Sequence, residues 1–470
     1  MRPGRPRGYL RALIGGLALV FVIAHAALAQ GIALLRDDEI EGTIRAMADP
    51  IFQAAGLDAK AIRVYIVNDP RLNAFVAGGQ NLFLNAGLLI RTENPQQVEG
   101  VIAHESGHIA GGHLSRVVEA QSNASAEAII GALLGAAAAV AGAPQVGTAI
   151  IAGGLTLGQR NLLAFSRTQE QAADQGAVTF LGRLGQPPTG LLEFLDILAR
   201  QDAQTVRNAD VFLRTHPLTS DRVNRLREEV ERSPHRGWAP SAASVEAHAR
   251  LRAKLVAFLD PPAAVLQRYA TDDSVAGRYA RAIALYRKPD LAKALEVIDG
   301  LIASEPNNAW FYELKGQMLF ESGRVAEAIG PYREAQRRAP RAVMVRAGLA
   351  QALIELGGEP ALDEAARILA DLRVAEPRNP ALWRLSGIAA GKLGREGEAA
   401  LALGEYAILM RRLDDARRQL DRARLLIREG DRLYVRLVDL EQAYDEALAD
   451  RPRRARLAPV QELLLERGPE

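Results

Sequence analysis

One motif constrains this chain more than any other feature, namely His-Glu-Ser-Gly-His at residues 104–108. Two histidines four residues apart lie one turn apart on the same face of an α-helix, so His104 and His108 can bind one divalent ion. Glu105, beside the first histidine, can reach a water molecule on that ion. The spacing therefore predicts a helix that carries part of a catalytic zinc site.

The residues on either side of the motif delimit this helix. Asn94, Pro95 and Gln97 form a helix-start signal, and Gly111-Gly112 is expected to end the helix. His113 lies five residues after the second histidine, which turns it away from the ligand face. We expect His113 either to support a ligand from outside the metal sphere or to lie on the surface.

A catalytic zinc keeps three protein ligands and one open position, so a third ligand must come from elsewhere in the chain. The best candidate is Glu170, in a segment that is predicted to be helical. Asp174 lies one turn further on, where its carboxylate can orient a histidine ligand by accepting the free ring proton. Spacing alone does not separate this hypothesis from an exposed helical glutamate.

The segment before the motif contains helical and extended patterns. Residues 37–53 have helical periodicity, residues 62–67 are rich in β-branched and aromatic side chains, and residues 73–77 and 81–85 flank Gly78-Gly79. Glycine supplies the positive φ of a tight turn, so the last two runs predict a hairpin. We expect a helix followed by a small antiparallel sheet.

A segment rich in glycine and alanine follows the motif, with apolar stretches at 128–143 and 146–157. Each stretch is shorter than the ~20 apolar residues that a membrane-spanning helix needs. Two structures fit residues 128–157: a tightly packed helical hairpin, or a hairpin that inserts into a membrane surface or a partner. A peripheral membrane contact through this segment is left open.

The first 29 residues have the order of a secretory signal peptide, with four arginines, an apolar run from 13 to 24, and Ala27-Leu28-Ala29. We expect cleavage after Ala29 and secretion, the alternative being an uncleaved membrane anchor. The chain contains no cysteine, so neither a disulfide nor a lipoprotein anchor is expected.

Charge argues against a nucleic-acid function. The 470 residues include 58 lysines and arginines against 56 acidic residues, a formal net charge of only +2. Binding through phosphate neutralisation generally needs a basic excess or stripe.

The C-terminal half is repetitive. Pro306 and Pro340 are 34 residues apart, and Gly316, Ala328, Tyr332 and Ala335 lie between them in a register that recurs upstream and downstream. Small residues let paired helices approach closely, and an aromatic side chain fills the gap between them. This pattern resembles the tetratricopeptide repeat in about four units, the third with an insertion at 357–360. The alternative is a set of generic alanine-rich helices.

The motifs also carry a family resemblance. The motif at 104–108 and the later Glu170-x-x-x-Asp174 resemble those of the gluzincin peptidases, which include the CAAX prenyl endopeptidases and HtpX. The resemblance extends to Asn73-Ala74-Phe75, His216-Pro217 and Arg222. With the leader and the repeats, the chain is similar over nearly its full length to a periplasmic subgroup that acts as protease and chaperone in outer-membrane protein assembly.

This resemblance implies roles for the metal-site residues. His104, His108 and Glu170 would bind one zinc ion per chain, and Glu105 would act as the general base. His216 would either stabilise the oxyanion of the reaction or occupy the open zinc position and hold the enzyme inactive. A third possibility is a loop histidine packed before a proline.

The resemblance also implies that Asn73, Ala74 and Phe75 belong to a strand that pairs with an extended substrate. Such an edge strand offers unpaired backbone groups and selects little by side chain. His235 and His248 lie outside any motif and are expected at the surface.

We therefore predict an α+β zincin-like metalloprotease domain, mostly helical with a small antiparallel sheet, followed by an all-α tetratricopeptide solenoid. The expected boundaries are 1–29 for the signal peptide, 30–260 for the protease domain, 275–430 for the repeats, and 431–470 for a C-terminal helix and tail.

The leading functional hypothesis is a periplasmic zinc metalloendopeptidase that hydrolyses misfolded or stalled envelope proteins. Its repeats would dock clients or the outer-membrane protein assembly machinery. The competing hypothesis is a chaperone or scaffold that acts mainly through the repeats, with conditional or no proteolysis.

Overall fold

The computed structural model describes residues 33–77, 80–113, 157–204 and 216–449. Within these residues the chain forms two compact units, the first ending at Pro306 and the second beginning at Asn307. The predicted signal peptide, nearly all of the 128–157 segment, the turn at 78–79 and the C-terminal tail lie outside the described residues.

The first unit begins with a short strand and a capped helix. β1 spans Leu34–Leu35 and α1 spans Asp38–Ala54. The Asp37 side chain caps α1 by accepting a hydrogen bond from the amide of Ile40. The helix predicted over 37–53 is confirmed, whereas β1 has only two residues and produces no pattern that can be detected in the sequence.

Four strands form one mixed sheet in the order β1-β2-β4-β3. β2 spans Arg63–Val67, β3 spans Ala74–Ala77, and β4 spans Asn81–Asn85. β3 pairs antiparallel with β4, which confirms the predicted hairpin, but β4 runs parallel to β2. The prediction of a purely antiparallel sheet is therefore wrong.

The burial of β4 explains this difference. Leu82 and Leu84 of β4 are fully buried, so this strand takes a central position and its hairpin partner β3 lies at the edge. The chain reverses direction between β2 and β3 and again between β3 and β4. β4 therefore runs in the same direction as its neighbour β2, and the two strands pair in parallel. Alternating patterns identify strands, but their order across a sheet depends on which faces become buried.

Helix α2 spans Ala86–Arg91 and leads into α3, Pro95–Ala110, which carries the histidine motif. The Asn94 side chain caps α3 by accepting a hydrogen bond from the Gln97 amide, and Gly111 is the C-cap, so the predicted start and end are confirmed. α3 is buried from Gln97 to Gly107 and packs against α1, β3 and the next two described helices, which begin at Leu157 and Thr189. The motif therefore lies at the centre of the first unit.

Seven more helices complete the first unit within the described residues. They are α4 (Leu157–Arg183), α5 (Thr189–Gln204), α6 (Ser220–Arg232), α7 (Ala242–Leu259), α8 (Pro262–Arg268), α9 (Val275–Arg287) and α10 (Leu291–Ser304). One hydrophobic core joins α1, the sheet, α3, α4 and α5, and α7 adds Leu251 and Leu255 to it. Helix α9 packs against α7, which holds it in the first unit.

The second unit is built from helices throughout its described part. They are α11 (Ala309–Glu321), α12 (Val325–Arg338), α13 (Val343–Leu356), α14 (Glu359–Ala375), α15 (Pro380–Lys392), α16 (Glu396–Leu409), α17 (Leu413–Leu426) and α18 (Tyr434–Ala449). Successive helices pack against each other in sequence order.

Two glycines of the second unit, the predicted Gly316 and also Gly348, leave room for the ring of Tyr332. A Cβ added at Gly316 would lie 2.9 Å from the Tyr332 ring, and one at Gly348 would lie 2.8 Å from it. Tyr332, Ala328 and Ala335 are all buried. Because the glycines leave room for the aromatic ring, neighbouring helices pack closely around it.

None of the helices in the described part of the chain is long and apolar enough to cross a membrane.

Candidate metal centre

Two helices and one loop residue form the centre of the first unit. α3 presents the histidine motif and α4 presents Glu170 and Asp174, while His216 lies shortly before α6. The two helices approach each other at Gly107, where an added Cβ would lie 2.7 Å from the Cα of Ala173. Only glycine permits this approach, which brings ligand candidates from both helices together.

Four donor groups converge there: His104, His108, Glu170 and His216 have one potential ligand atom each within 4.8 Å of one another. The His104 Nε2 atom lies 3.1 Å from His108 Nε2, 3.3 Å from His216 Nδ1 and 3.4 Å from Glu170 Oε2. Glu170 Oε1 lies 3.2 Å from His108 Nε2 and 3.1 Å from His216 Nδ1.

These five separations are close to the spacing of ligand atoms around one zinc ion. With metal–ligand bonds of about 2.0–2.1 Å, zinc holds tetrahedral donors about 3.3 Å apart. Imidazole nitrogens and a carboxylate oxygen are also donors that zinc commonly binds in proteins. The residues that the sequence motifs proposed as ligands therefore lie together, and His216 lies with them.

Electrostatics favours a charged Glu170 at this point. Burial would raise its pKa, but hydrogen bonds from His104, His108 and His216 outweigh burial and hold the pKa well below its ordinary value. Burial would lower the pKa of His104, yet its hydrogen bonds to Asp174 and Glu170 raise that pKa to about 10. Glu170 is therefore held in its charged form, in which a carboxylate can bind a cation.

The pKa of His108 is lowered, whereas that of His104 is raised. At His108, burial lowers the pKa of the imidazole more than the hydrogen bond with Glu170 raises it. The neutral form is thereby favoured, and it is the form that binds metal.

Arg222 supports the centre, although the sequence analysis assigned it no role. It is 3% exposed, its Nε and Nη2 donate to Asp174 at 2.7 and 2.9 Å, and its Nη1 lies 2.9 Å from Glu170 Oε2. Asp174 in turn lies 2.9 Å from His104 Nδ1, the position predicted for it. The sequence pointed to Arg222 only through the family resemblance, which did not reveal its partners.

Glu105 provides an independent test of whether the centre suits a metal with a water molecule. The side chain is 1% exposed, and its Oε1 has no hydrogen-bond partner among the described residues. The ring nitrogen His216 Nε2 lies 3.5 Å from this oxygen. A buried carboxylate oxygen without a partner is costly unless a further group binds it, so this residue fits a centre that accepts water or substrate.

The predicted substrate-binding residues lie on β3, which packs against α3 and forms the edge of the sheet in the described residues. Asn73 precedes the strand, is 6% exposed, and has an unpartnered Oδ1 within the described structure. Ala74 is buried, while Phe75 stacks on Phe83 with ring centroids 4.9 Å apart.

His235 and His248 were both expected at the surface. His235 is half-buried and so retains some exposure to solvent. His248 is 1% exposed, with Nε2 3.1 Å from the Thr92 hydroxyl, so its expected place on the surface is wrong. The physical reason is that α7 packs against α2 and turns this histidine inward, a contact that local sequence does not reveal.

Comparison with protein families identifies the same part of the chain. Residues 35–230, which include the motif helix, Glu170 and His216, match the model of peptidase family M48.

Comparison with individual proteins extends over most of the chain. A "Beta-barrel assembly-enhancing protease" of Yersinia pestis is 28% identical over 398 residues, which are 83% of this chain and 78% of the relative. The protein of the same name from Escherichia coli (strain K12) is 27% identical over 399 residues, with the same coverage. The "Mitochondrial metalloendopeptidase OMA1" of Schizosaccharomyces pombe is 24% identical over 192 residues, 41% of this chain and 51% of the relative. These similarities confirm the resemblance that the motifs indicated.

Proposed function

We propose a substrate class and a mode of control for this chain, starting from the premise that it is a zinc metalloendopeptidase whose residues 35–230 form an M48 peptidase domain. It hydrolyses misfolded or stalled envelope proteins in the periplasm. The convergence of four donor groups within 4.8 Å of one another carries the proposal for the centre. Relatives that align with 83% of the chain are named for β-barrel assembly, which supports the connection with outer-membrane proteins. The signal-peptide-like leader supports the location.

The catalytic ligands are His104, His108 and Glu170, oriented by Asp174. Zinc bound to them supplies Lewis acidity that polarises the scissile carbonyl and makes water nucleophilic near neutral pH. Glu105 takes the proton from the attacking water and passes it to the leaving amine. Its unpartnered Oε1 supports this role, since a free carboxylate oxygen is available to accept the proton.

The substrate binds in an extended conformation along β3, beside residues Asn73, Ala74 and Phe75. This strand is the edge of the described sheet and packs on the motif helix, which supports its role as the binding strand. Backbone hydrogen bonds to an edge strand are largely independent of side chains. Such binding suits an enzyme that degrades many unfolded sequences.

His216 is a regulatory ligand in the resting enzyme. Its Nδ1 lies 3.1 Å from Glu170 Oε1 and 3.3 Å from His104 Nε2, the spacing expected of a fourth zinc ligand. A fourth protein ligand takes the position that a catalytic zinc keeps open for water. The loop that carries His216 must therefore move before cleavage begins, and the oxyanion role is the less favoured alternative.

Helices α9 to α17, which lie within residues 275–430, correspond to the tetratricopeptide repeats and dock clients or the assembly machinery. Their sequential packing and the glycine contacts with Tyr332 support the repeat assignment. With His216 as a fourth protein ligand, no zinc position is left for water, which also supports a second candidate function. This is a chaperone or scaffold whose proteolysis is conditional.

The test measures zinc content and casein cleavage for the wild type, His216→Ala, Glu105→Gln and the double variant. We expect one zinc in each, faster cleavage in His216→Ala than in wild type, and a loss of about 10²- to 10⁴-fold on adding Glu105→Gln to it. Slower cleavage in His216→Ala would instead assign His216 to the oxyanion. Absence of zinc from the folded wild type would remove the catalytic proposal.

The two candidate functions are separated by genetic complementation in the source organism. Glu105→Gln still binds zinc but cannot move the proton. Loss of outer-membrane protein assembly in this variant would favour the protease, and full complementation would favour the chaperone.

A further inference from the structure

His113 lies directly behind one of the proposed zinc ligands. Its side chain is 6% exposed, and its Nδ1 is 2.9 Å from the Nδ1 of His108. The ring centroids are 5.0 Å apart and the ring planes meet at 79°, so one ring presents its edge to the other. The Nε2 of His108, on the far side of the same ring, faces Glu170.

We propose that His113 is a positioning residue that fixes the orientation and tautomer of His108 for zinc binding. The inference rests on the proposed ligand set and deepens it. The arrangement parallels the one at His104, whose Nε2 faces the other donors while its Nδ1 lies 2.9 Å from Asp174. Both histidines of the motif thus have a partner on the nitrogen that points away from the centre.

The hydrogen bond has one direction that is compatible with metal binding. A histidine that binds zinc through Nε2 carries its proton on Nδ1 and donates it to an outer partner. His113 Nδ1 must therefore accept from His108, and the proton of His113 resides on its own Nε2. This fixes the tautomers of both rings and prevents His108 from rotating away from Glu170.

The glycines after α3 place His113 in this position. Gly112 has a φ of +59°, which turns the chain sharply after the helix. A Cβ added at Gly111 would lie 2.4 Å from His113 Nε2, so the imidazole occupies space that only glycine leaves open. The Gln169 side-chain amide also donates to the His113 carbonyl at 3.4 Å, joining this turn to the residue before Glu170.

The test compares two substitutions of similar shape at His113. In His113→Asn, the side-chain oxygen replaces Nδ1 as an acceptor, whereas His113→Leu removes the acceptor. We measure the zinc dissociation constant of the full chain by chelator competition at fixed pH, together with the visible absorption of the Co²⁺-loaded protein. We expect zinc to bind about 10- to 100-fold more weakly in His113→Leu, with an altered Co²⁺ spectrum. His113→Asn should stay within a few-fold of wild type.

A second pair of variants tests the same inference without changing the histidine. Gly111 has a helical φ of −71°, so Gly111→Ala displaces the His113 ring without straining the backbone. Gly182→Ala is the matched control, because a Cβ there meets nothing within 4 Å. We expect Gly111→Ala to weaken zinc binding and Gly182→Ala to leave it unchanged.

Unchanged affinity in His113→Leu, or an equal loss in both His113 variants, would overturn the positioning role. His108→Ala is measured alongside them to test the ligand set itself. If His108→Ala kept its zinc, both proposals would fail, whereas loss of zinc there beside unchanged His113→Leu would overturn this inference alone.

Discussion

Gly107 of the motif helix and Ala173 of α4 are in backbone contact, since a Cβ on Gly107 would lie 2.7 Å from the Cα and 2.7 Å from the carbonyl oxygen of Ala173. Gly176, one turn along α4, continues this contact: a Cβ there would lie 3.3 Å from the Gly107 Cα. The distance between two helix backbones thus determines whether Glu170 reaches the motif histidines.

The first prediction follows from this contact. Gly107→Ala must push α3 and α4 apart, because backbone atoms cannot rotate away as a side chain can. We expect a loss of about 1–3 kcal/mol in the free energy of unfolding and weaker zinc binding, measured by urea unfolding and chelator competition. Gly42→Ala, whose Cβ meets nothing within 4 Å, serves as the control. Normal zinc affinity in Gly107→Ala would show that the ligands tolerate helix separation.

The second prediction concerns Arg222, which pairs with two buried carboxylates, Asp174 and Glu170. Arg222→Ala leaves both without their cation, and we expect the metal-free protein to lose about 3–5 kcal/mol of stability. Arg232→Ala on the same helix breaks only an exposed pair with Glu228 and should cost about 0–1 kcal/mol. Chemical unfolding in the presence of chelator measures both, and equal effects would contradict the assigned role of Arg222.

The third prediction is a pH dependence that arises from His248. Burial and the charge of Arg252 lower its pKa to about 4, below the ordinary value of 6.5. The unfolded chain therefore binds a proton here at higher pH than the folded chain, and stability falls as pH decreases from 6.5 toward 4. The full contribution is roughly 3 kcal/mol.

His248→Gln removes this proton-binding site while keeping a polar side chain opposite Thr92. We expect the unfolding free energy of the variant to depend less steeply on pH between 6.5 and 4 than that of wild type, both measured in chelator. Parallel pH curves would show that His248 does not titrate differently on folding.

The fourth prediction concerns the attachment of α9 to the first unit. The Tyr279 hydroxyl donates to Glu39 Oε2 at 3.0 Å, and Lys254 Nζ lies 3.1 Å from the same oxygen. All three side chains are buried. We expect Tyr279→Phe to destabilise the protein by about 1.5–3 kcal/mol, because a buried hydrogen bond to a charged group is lost.

Tyr269→Phe is the control for this change, since the Tyr269 hydroxyl has no hydrogen bond among the described residues. Thermal unfolding of both variants measures the difference. A Tyr279→Phe variant as stable as Tyr269→Phe would mean that this hydrogen bond does not help to hold α9.

Local signals explain why much of the first unit was predictable. Asn94 and Pro95 specify the start of α3 through capping and a fixed φ, both of which depend on neighbouring residues alone. The four-residue spacing of His104 and His108 places them on one face of any helix. Glu170 was a candidate by residue type and helical context, but its distance from the histidines depends on helix packing.

Long-range packing accounts for the features that local sequence patterns did not predict. The order of the strands follows from the burial of β4, and the roles of Arg222 and His248 follow from helices that pack from far along the chain. Such contacts leave no periodic pattern in the residues around them.

The sequence by itself determined the chemistry of this protein, because a helix with correctly spaced histidines and a glutamate can be recognised from local geometry. Only the tertiary structure decided how that chemistry is supported and restrained. Arg222 meets Asp174, His113 meets His108, and His216 reaches the donor cluster through contacts that exist only when separate segments fold against one another. The physical reason is that spacing along a helix is set by its hydrogen bonds, whereas spacing between segments is set by packing.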